Sequence, residues 1–298
     1  MWAGCVRTGV LTMRHVFSVR VGPVGFRIGS DWRAPIAALE QVYADYPRPQ
    51  HDIPDFTVRL FAARAWQRFV RPVVTIGGDF ALPETASLPL SQGLLAAEMA
   101  MSLQMALGQR RYLMLNAAVV ERDGQAIILV GGAGAGKSTL AALLSLRGWR
   151  LMADEFALID PGTGLVHAFP RPVSLKNAGI ATVAAEVPAR RLGPLMKGTP
   201  EGTIRHLIPD AATIAKMDTP ARAAAILFPC LGHAPAARDV TPSDALVRLT
   251  QASSNFVALG GRGFDVLKDL IRAAPARAID YPDADCAIDQ VEAAWAAL

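Results

Sequence analysis

The sequence predicts an α/β protein, and three observations predict it. Short apolar runs of strand length alternate along the 298 residues with amphipathic stretches of helical length. Apolar residues make up 52% of the chain, enough to fill a core. The run "AIILV" (126–130) passes directly into "GGAGAGKST" (131–139) and then into an amphipathic segment, a strand–glycine loop–helix unit.

The elements follow in order. Residues 15–28 alternate around Gly22-Pro23 and read as strand–turn–strand. Asp31 is placed to cap a helix over "WRAPIAALEQVYADY". "DFTVRLFAA" (55–63) and "PVVTIGG" (72–78) read as strands, and "PETASLPLSQG" as a connector. This predicts a small N-terminal α/β domain over 1–90, with 1–12 outside the ordered part and Met13 an alternative start to Met1. The second domain, 91–298, opens with a helix at 92–108 and a hairpin joined at "ERDG". The helix "KSTLAALLSLRG" follows, with Gly148 as its C-terminal cap. "RLMADE" and "FALIDPGTGLVHAF" are strands, and 171–218 reads as irregular. "RAAAILFPCL" is a buried strand, "SDALVRLTQASSNF" and "GFDVLKDLIRAA" are helices, and "ARAIDYP" and "DADCAIDQVEAAWAAL" close the chain as strand and helix. Asn255 is expected to cap a helix, and His15, His51, His167 and His233 to be structural.

Composition excludes several classes. The net charge is +4 and no run of five basic residues occurs, which argues against a nucleic-acid partner. Cys5, Cys230 and Cys286 lie far apart with no CxxC spacing, so neither a zinc site nor a disulfide framework is indicated, and a reducing compartment is. The most apolar stretch, "LLAAEMAMSLQMALG" (94–108), carries Glu98 and Gln104 and is too short to span a membrane. With no signal-peptide h-region, the expected location is cytoplasmic and no membrane partner is expected.

The glycine loop carries the chemistry. Gly131, Gly136, Lys137 and Ser138 fit G-x-x-x-x-G-K-[ST]. Gly131, Gly132, Ala133, Gly134, Ala135 and Gly136 would turn backbone N–H groups toward phosphate oxygens, with Lys137, Ser138 and Thr139 completing the cradle at a helix N-terminus. Lys137 would bridge the β- and γ-phosphates of ATP, and Ser138 would ligate Mg²⁺. "RGWRLMADEFALID" (147–160) then returns the chain as a strand ending in Asp154 and Glu155. Two adjacent buried carboxylates need compensation, which Lys137 and Mg²⁺ would supply. Two acids permit two jobs, one on the metal and one as general base on an incoming hydroxyl, so Ser138, Asp154 and Glu155 form the expected metal set and Asp154, Glu155 and Lys137 the catalytic set.

The stretch "VERDGQAIILVGGAGAGKSTLAALLSLRGWRLMADEFALID" resembles the catalytic core of the HPr kinase/phosphorylase superfamily, where a P-loop is followed closely by an Asp-Asp pair. "PRPVSLKN", "KGTPEGTIRH", "SSNFVALGG" and "AIDYPDAD" resemble a narrower group, HPr-kinase-related kinase A. The resemblance covers about residues 110–298. It implies a P-loop kinase core of the HPr kinase/phosphoenolpyruvate-carboxykinase type behind the small N-terminal domain. It implies an ATP- and Mg²⁺-dependent kinase acting on a hydroxyl, with a peptide or protein serine favoured over a metabolite as acceptor. Hexameric relatives make a homo-oligomer compatible with it. Lys137 and Ser138 match the P-loop pair, Asp154 the first acid, and Glu155 stands where the second Asp is found. Asn116-Ala117 replaces the His-Gly of HPr kinases, and Asn cannot become cationic near neutral pH, which weakens a phosphorylase activity. Lys176, Lys197, Arg205 and His206 fall where the resemblance puts a substrate-side loop, and with Asn116 they are candidate substrate or phosphate contacts. Two other readings stay open: a nucleotide-binding regulatory module with little phosphotransfer, and a carboxykinase or phosphorylase variant.

Overall fold

The computed structural model describes residues 13–49, 53–80 and 87–298; the expectations for residues 1–12, His51 and part of the connector lie outside these. The chain starts as a hairpin, β1 (His15–Val21) and β2 (Val24–Ser30), turning through Gly22 at φ +50 and Pro23. A Cβ on Gly22 would lie 1.9 Å from the Ala168 carbonyl oxygen, so glycine is required where this hairpin meets the rest of the molecule. Helix α1 (Arg33–Val42) crosses to β3 (Phe56–Phe61), which runs parallel to β2. Strands β4 (Val73–Gly78) and β5 (Leu88–Pro89) complete a sheet in the order β1-β2-β3-β4-β5. Asp31 does not cap α1. Its carboxylate accepts the Ala62 N–H at 3.1 Å and faces Arg68, and Trp32 takes the N-cap position.

Helix α2 (Gly93–Gly108) is apolar on nearly every side, as expected of a helix buried all round. Its residues Leu94, Leu95, Ala96, Ala97, Ala100, Met101 and Met105 share one core with the first sheet and with Met114, Phe156, Leu158 and Phe169 of the second half. Sequence composition puts α2 at the start of the second domain; in space it is the joint between the two halves.

Strands β6 (Leu113–Arg122) and β7 (Gln125–Val130) form a hairpin through Asp123 and Gly124, both at positive φ, as a two-residue turn of the strand's own hand requires. The glycine loop leads into α3 (Lys137–Leu146), which ends before Gly148 at φ +87. The chain returns through β8 (Arg150–Ala153) and β9 (Phe156–Ile159), then β10 (Val166–His167). The segment expected to be irregular holds structure: β11 (Val173–Lys176), α4 (Ala178–Ala184), β12 (Met196–Thr199), β13 (Gly202–Leu207) and α5 (Ala211–Ala215). The three strands form a small sheet, β11-β13-β12. Strands this short, flanked by Gly198 and Gly202, give too few alternations to stand out as a period. Then come β14 (Arg222–Leu231), β15 (Ala236–Asp239), α6 (Pro242–Ala252), α7 (Phe256–Leu259), α8 (Gly261–Ala273), β16 (Ala276–Tyr281) and α9 (Ala284–Ala296).

The large sheet has the order β10-β9-β6-β7-β14-β16-β15, with β8 also on β6. Strands β7, β14 and β16 are parallel, so their C-terminal ends lie together beside the glycine loop. Helices α3 and α9 bury Leu140, Leu143, Ile288 and Val291 against one face, with Ile127, Leu129 and Leu227. Helices α6 and α8 bury Ala245, Leu249, Leu267 and Leu270 against the other, with Ile128, Ile226 and Phe228. Asn255 sits at the N-cap position of α7 but makes no cap bond. Its amide instead accepts the Met114 N–H at 3.0 Å and donates to the carbonyls of Gln109 and Tyr112, clamping the entry to β6. The molecule is thus a mixed α/β protein, and among the described residues no helix is long and apolar enough to cross a membrane.

Candidate functional site

The glycine loop leaves β7 at Val130 and turns inward because Gly134 and Gly136 take φ of +82 and +85, a region closed to most side chains. Gly136 also needs its missing Cβ, which would lie 2.8 Å from the Tyr281 hydroxyl. That hydroxyl donates to the Ala135 carbonyl at 2.8 Å and so braces the loop from β16. Burial pushes the Tyr281 phenol well up, so it is a donor at any ordinary pH. Tyr281 falls in the stretch "AIDYPDAD", but the sequence does not give its role, which depends on β16 lying two strands from β7.

Lys137, the first residue of α3, folds back over the loop. Its ammonium donates to the carbonyls of Gly131 and Gly132 at 2.5 and 3.0 Å. Burial draws its pKa down; Asp154 opposes this and Lys176 adds to it. The structure therefore brings Lys137, Asp154 and Lys176 within electrostatic reach of one another.

Asp154 owes its position to strand register. Val119 pairs with Ala153 and Asn116 with Phe156, so Asp154 falls opposite Ala118 and Glu155 opposite Ala117. The Ala117 N–H indeed bonds to the Glu155 carbonyl at 3.3 Å. The two residues form the bend between β8 and β9, and their side chains meet different partners. Asp154 is 7% exposed and accepts the Ser174 N–H of β11 at 3.0 Å through Oδ2. Its Oδ1 is buried without a partner. Burial pushes its pKa up, and the Ser138 hydroxyl, the Ser174 N–H and Lys137 only partly counter that.

Glu155 is held by other partners, although its charge adds to the upward push on the Asp154 pKa. Its Oε2 accepts from Arg171 Nη1 at 2.9 Å and from the Ser102 hydroxyl of α2 at 2.8 Å. Arg171, 3% exposed, is the hub of a network that the sequence did not reveal. It also pairs with Glu98 of α2 and donates to the Glu98 carbonyl at 3.1 Å. The Tyr43 hydroxyl completes Glu98 at 2.7 Å, and the Tyr46 hydroxyl donates to the Pro170 carbonyl. Arg171 falls in the stretch "PRPVSLKN", and Glu98, a charge inside an apolar helix, demands a buried cation; nothing in the sequence joins the two.

The remaining candidates lie on the small sheet. Ser174 pairs with His206 and Lys176 with Ile204, so Lys176 and His206 share one face of it. Lys176 is exposed and pairs with Glu201 at 2.8 Å. His206 is 2% exposed; burial lowers its pKa despite Glu98, and its Nδ1 has no partner. Arg205 turns to the other face, where its Nε donates to the Gly193 carbonyl at 2.9 Å. Lys197 is exposed on β12. Gly179 of α4 packs so closely on Thr139 that a Cβ would lie 2.5 Å from its hydroxyl.

Asn116, one step past Ala117, the last residue of β6 paired with β7, borders a cleft of about 760 Å³ at the C-terminal ends of β7, β14 and β16. Gly131, Gly132 and Ala133 form its near wall and Cys230, Arg238, Arg248 and Asp280 its far side. Crevices at the carboxyl ends of parallel strands are where such sheets take ligands.

A magnesium ion fits the donors present. Asp154 offers an unpartnered oxygen next to the Ser138 hydroxyl. Among the described residues no three His, Cys, Asp or Glu side chains gather to hold a metal, so the ion would need phosphate and water for its other ligands, which is how Mg²⁺ is ordinarily held. No model of a known protein family matches the chain, and no curated protein does either.

Proposed function

We propose that the protein binds ATP with Mg²⁺ at the glycine loop and transfers the γ-phosphoryl group to a hydroxyl of an acceptor. The observation that carries this reading is the convergence of Lys137, Ser138 and the buried, half-satisfied Asp154 at a left-handed glycine loop beside an open cleft. The backbone N–H groups of the loop and the N-terminus of α3 hold the phosphates. Lys137 exchanges its two carbonyl partners for β- and γ-oxygens. Ser138 and Asp154 would hold Mg²⁺, which supplies charge neutralisation on the phosphates. The acceptor oxygen forms a bond to the γ-phosphorus as the bond from that phosphorus to the β–γ bridging oxygen breaks. ADP leaves with the electron pair, and the hydroxyl proton passes to Asp154 or to water in the cleft. A loose transition state puts little demand on the base, so positioning and charge carry the rate.

One observation favours a regulatory nucleotide-binding module instead: Glu155, the second acid a kinase of this kind would use, is committed to Arg171. The deciding experiment follows γ-labelled ATP in an extract of the source cells. Label on a discrete acceptor with wild type, and at least a hundredfold less with Lys137→Ala, supports the kinase. ATP binding with no labelled acceptor and only slow release of phosphate supports the module.

Bracing by Tyr281 gives a milder prediction. Tyr281→Phe keeps the ring and removes one hydrogen bond to the loop, worth about 1 kcal/mol. Calorimetric titration with ATP and Mg²⁺ should find affinity about fivefold weaker. Unchanged affinity would mean that the loop holds its shape without the brace.

A further inference from the structure

We infer that the cleft beside Gly131–Ala133 is the acceptor's site and that Arg248 is its anchor for a carboxylate on the acceptor, an inference that rests on the kinase reading above. Direction along the loop decides the occupant. Lys137 reaches the β- and γ-phosphates, and its ammonium lies over the carbonyls of Gly131 and Gly132. The terminal phosphate therefore sits at the start of the loop. The cleft is lined by that start, Gly131 to Ala133, and by Asn116; the helical end of the loop, Lys137 to Thr139, does not line it. A nucleoside attached through the α-phosphate leaves from the helical end, so the cleft faces the group being transferred.

The cleft's charges then define what it receives. Its floor is apolar, with Val130, Phe228, Val240 and Ala278. Arg238 is neutralised by Asp280 at 2.6 Å, and Asp239 by Arg277 at 2.8 Å. Among the described residues Arg248 forms no ion pair; Asp244, one turn earlier on α6, also lines the cleft and leaves Arg248 unpaired. Its guanidinium carbon lies over the Phe228 ring, 4.9 Å from the centroid. A guanidinium held over a ring by cation–π attraction keeps N–H groups available, and these can capture a carboxylate in a bidentate pair. An acceptor that pairs its hydroxyl with a nearby carboxylate, as a hydroxy acid or a serine beside an acidic group does, would be held at both ends.

Cys230 provides a test that needs no knowledge of the acceptor. It is a free, exposed cysteine lining the cleft, two residues from Phe228 and on the same face of β14. Its thiolate displaces iodide from iodoacetate or iodoacetamide, forming the S–C bond as the C–I bond breaks. The two reagents differ in one carboxylate. With peptide mapping to isolate Cys230, the ratio of the iodoacetate to the iodoacetamide rate should fall about fivefold in Arg248→Gln and stay unchanged in Arg222→Gln, at the opposite end of β14. Saturating ATP and Mg²⁺ should leave Cys230 reactive, because the cleft stays open while nucleotide is bound. An unchanged ratio in Arg248→Gln overturns the carboxylate anchor. Full protection of Cys230 by ATP overturns the acceptor assignment and makes the cleft the nucleoside's. Calorimetry with ATP on the same samples separates these outcomes from failure of the kinase reading, which is absence of ATP binding.

Discussion

Asp154→Asn is expected to cut phosphoryl transfer at least a hundredfold while raising the melting temperature of the ligand-free protein by a few degrees. The loss follows from removing the carboxylate that the fold sets beside Lys137 and Ser138. The gain follows from burial. An ionised carboxylate with an unpartnered oxygen in a dry site opposes folding, and Asn keeps an acceptor for the Ser174 N–H without the charge. About 1 kcal/mol of relief in a chain of this size corresponds to roughly 2–4 °C. The sign with pH is fixed by the raised pKa: the native state binds this proton more tightly than the unfolded chain does. The wild-type penalty is thus complete above the folded pKa and fades as pH falls toward the ordinary carboxylate range. Thermal melts of both proteins at pH 8 and pH 4.5 should show the variant's advantage at the higher pH and its shrinkage at the lower. A variant less stable than wild type at pH 8 would show that Lys137 already compensates the charge.

Arg171→Met should destabilise the protein by about 3–5 kcal/mol, the usual result of stripping one partner from a buried ion pair. Glu98 would be left charged inside helix α2 with only the Tyr43 hydroxyl and a neutral-leaning His206 nearby. Burial alone would raise the Glu98 pKa; Arg171 overcomes this, with His206 and Tyr43 assisting, and holds it below the usual carboxylate value. That contribution is present above the ordinary glutamate pKa and is lost as pH falls through the depressed one, so acid unfolding should start below about pH 4. Adding Glu98→Gln to Arg171→Met removes the stranded charge and keeps an acceptor for Tyr43. Urea titration should then recover more than half of the loss. No recovery would mean that Arg171 acts through packing or through Glu155 rather than through Glu98.

What could be read from the sequence was local. The turn at Asp123-Gly124, the glycine loop, α3 and its stop at Gly148 each depend on residues within a few positions of one another. Asp154 was legible because the short return from α3 leaves little freedom in where the strand can lie. Glu155 was not, because it lies in the bend between β8 and β9, where its direction depends on the neighbouring layers. Its partner Arg171 lies 16 residues on, and the ion pair that fixes Arg171 spans 73 residues to Glu98. Asn255 failed as a cap for the same reason: its amide meets backbone 141 to 146 residues away. Sequence patterns report periodicity and turns; they do not report which buried charges will meet.

The network around Arg171 also bears on how such a chain can diverge. Loss of Glu98 or Arg171 alone would spend a large part of the 5–15 kcal/mol by which a domain is stable. Substitution at either position is therefore tolerated only alongside change at the other, and positions 98 and 171 should drift as a linked pair in descendants. Position 155 is looser, since its side chain is 43% exposed and its ion pair correspondingly weak. Lineages are freer to exchange Glu155 for aspartate or a neutral residue, whereas a change at Asp154, one bond along the backbone, ends the chemistry proposed for it.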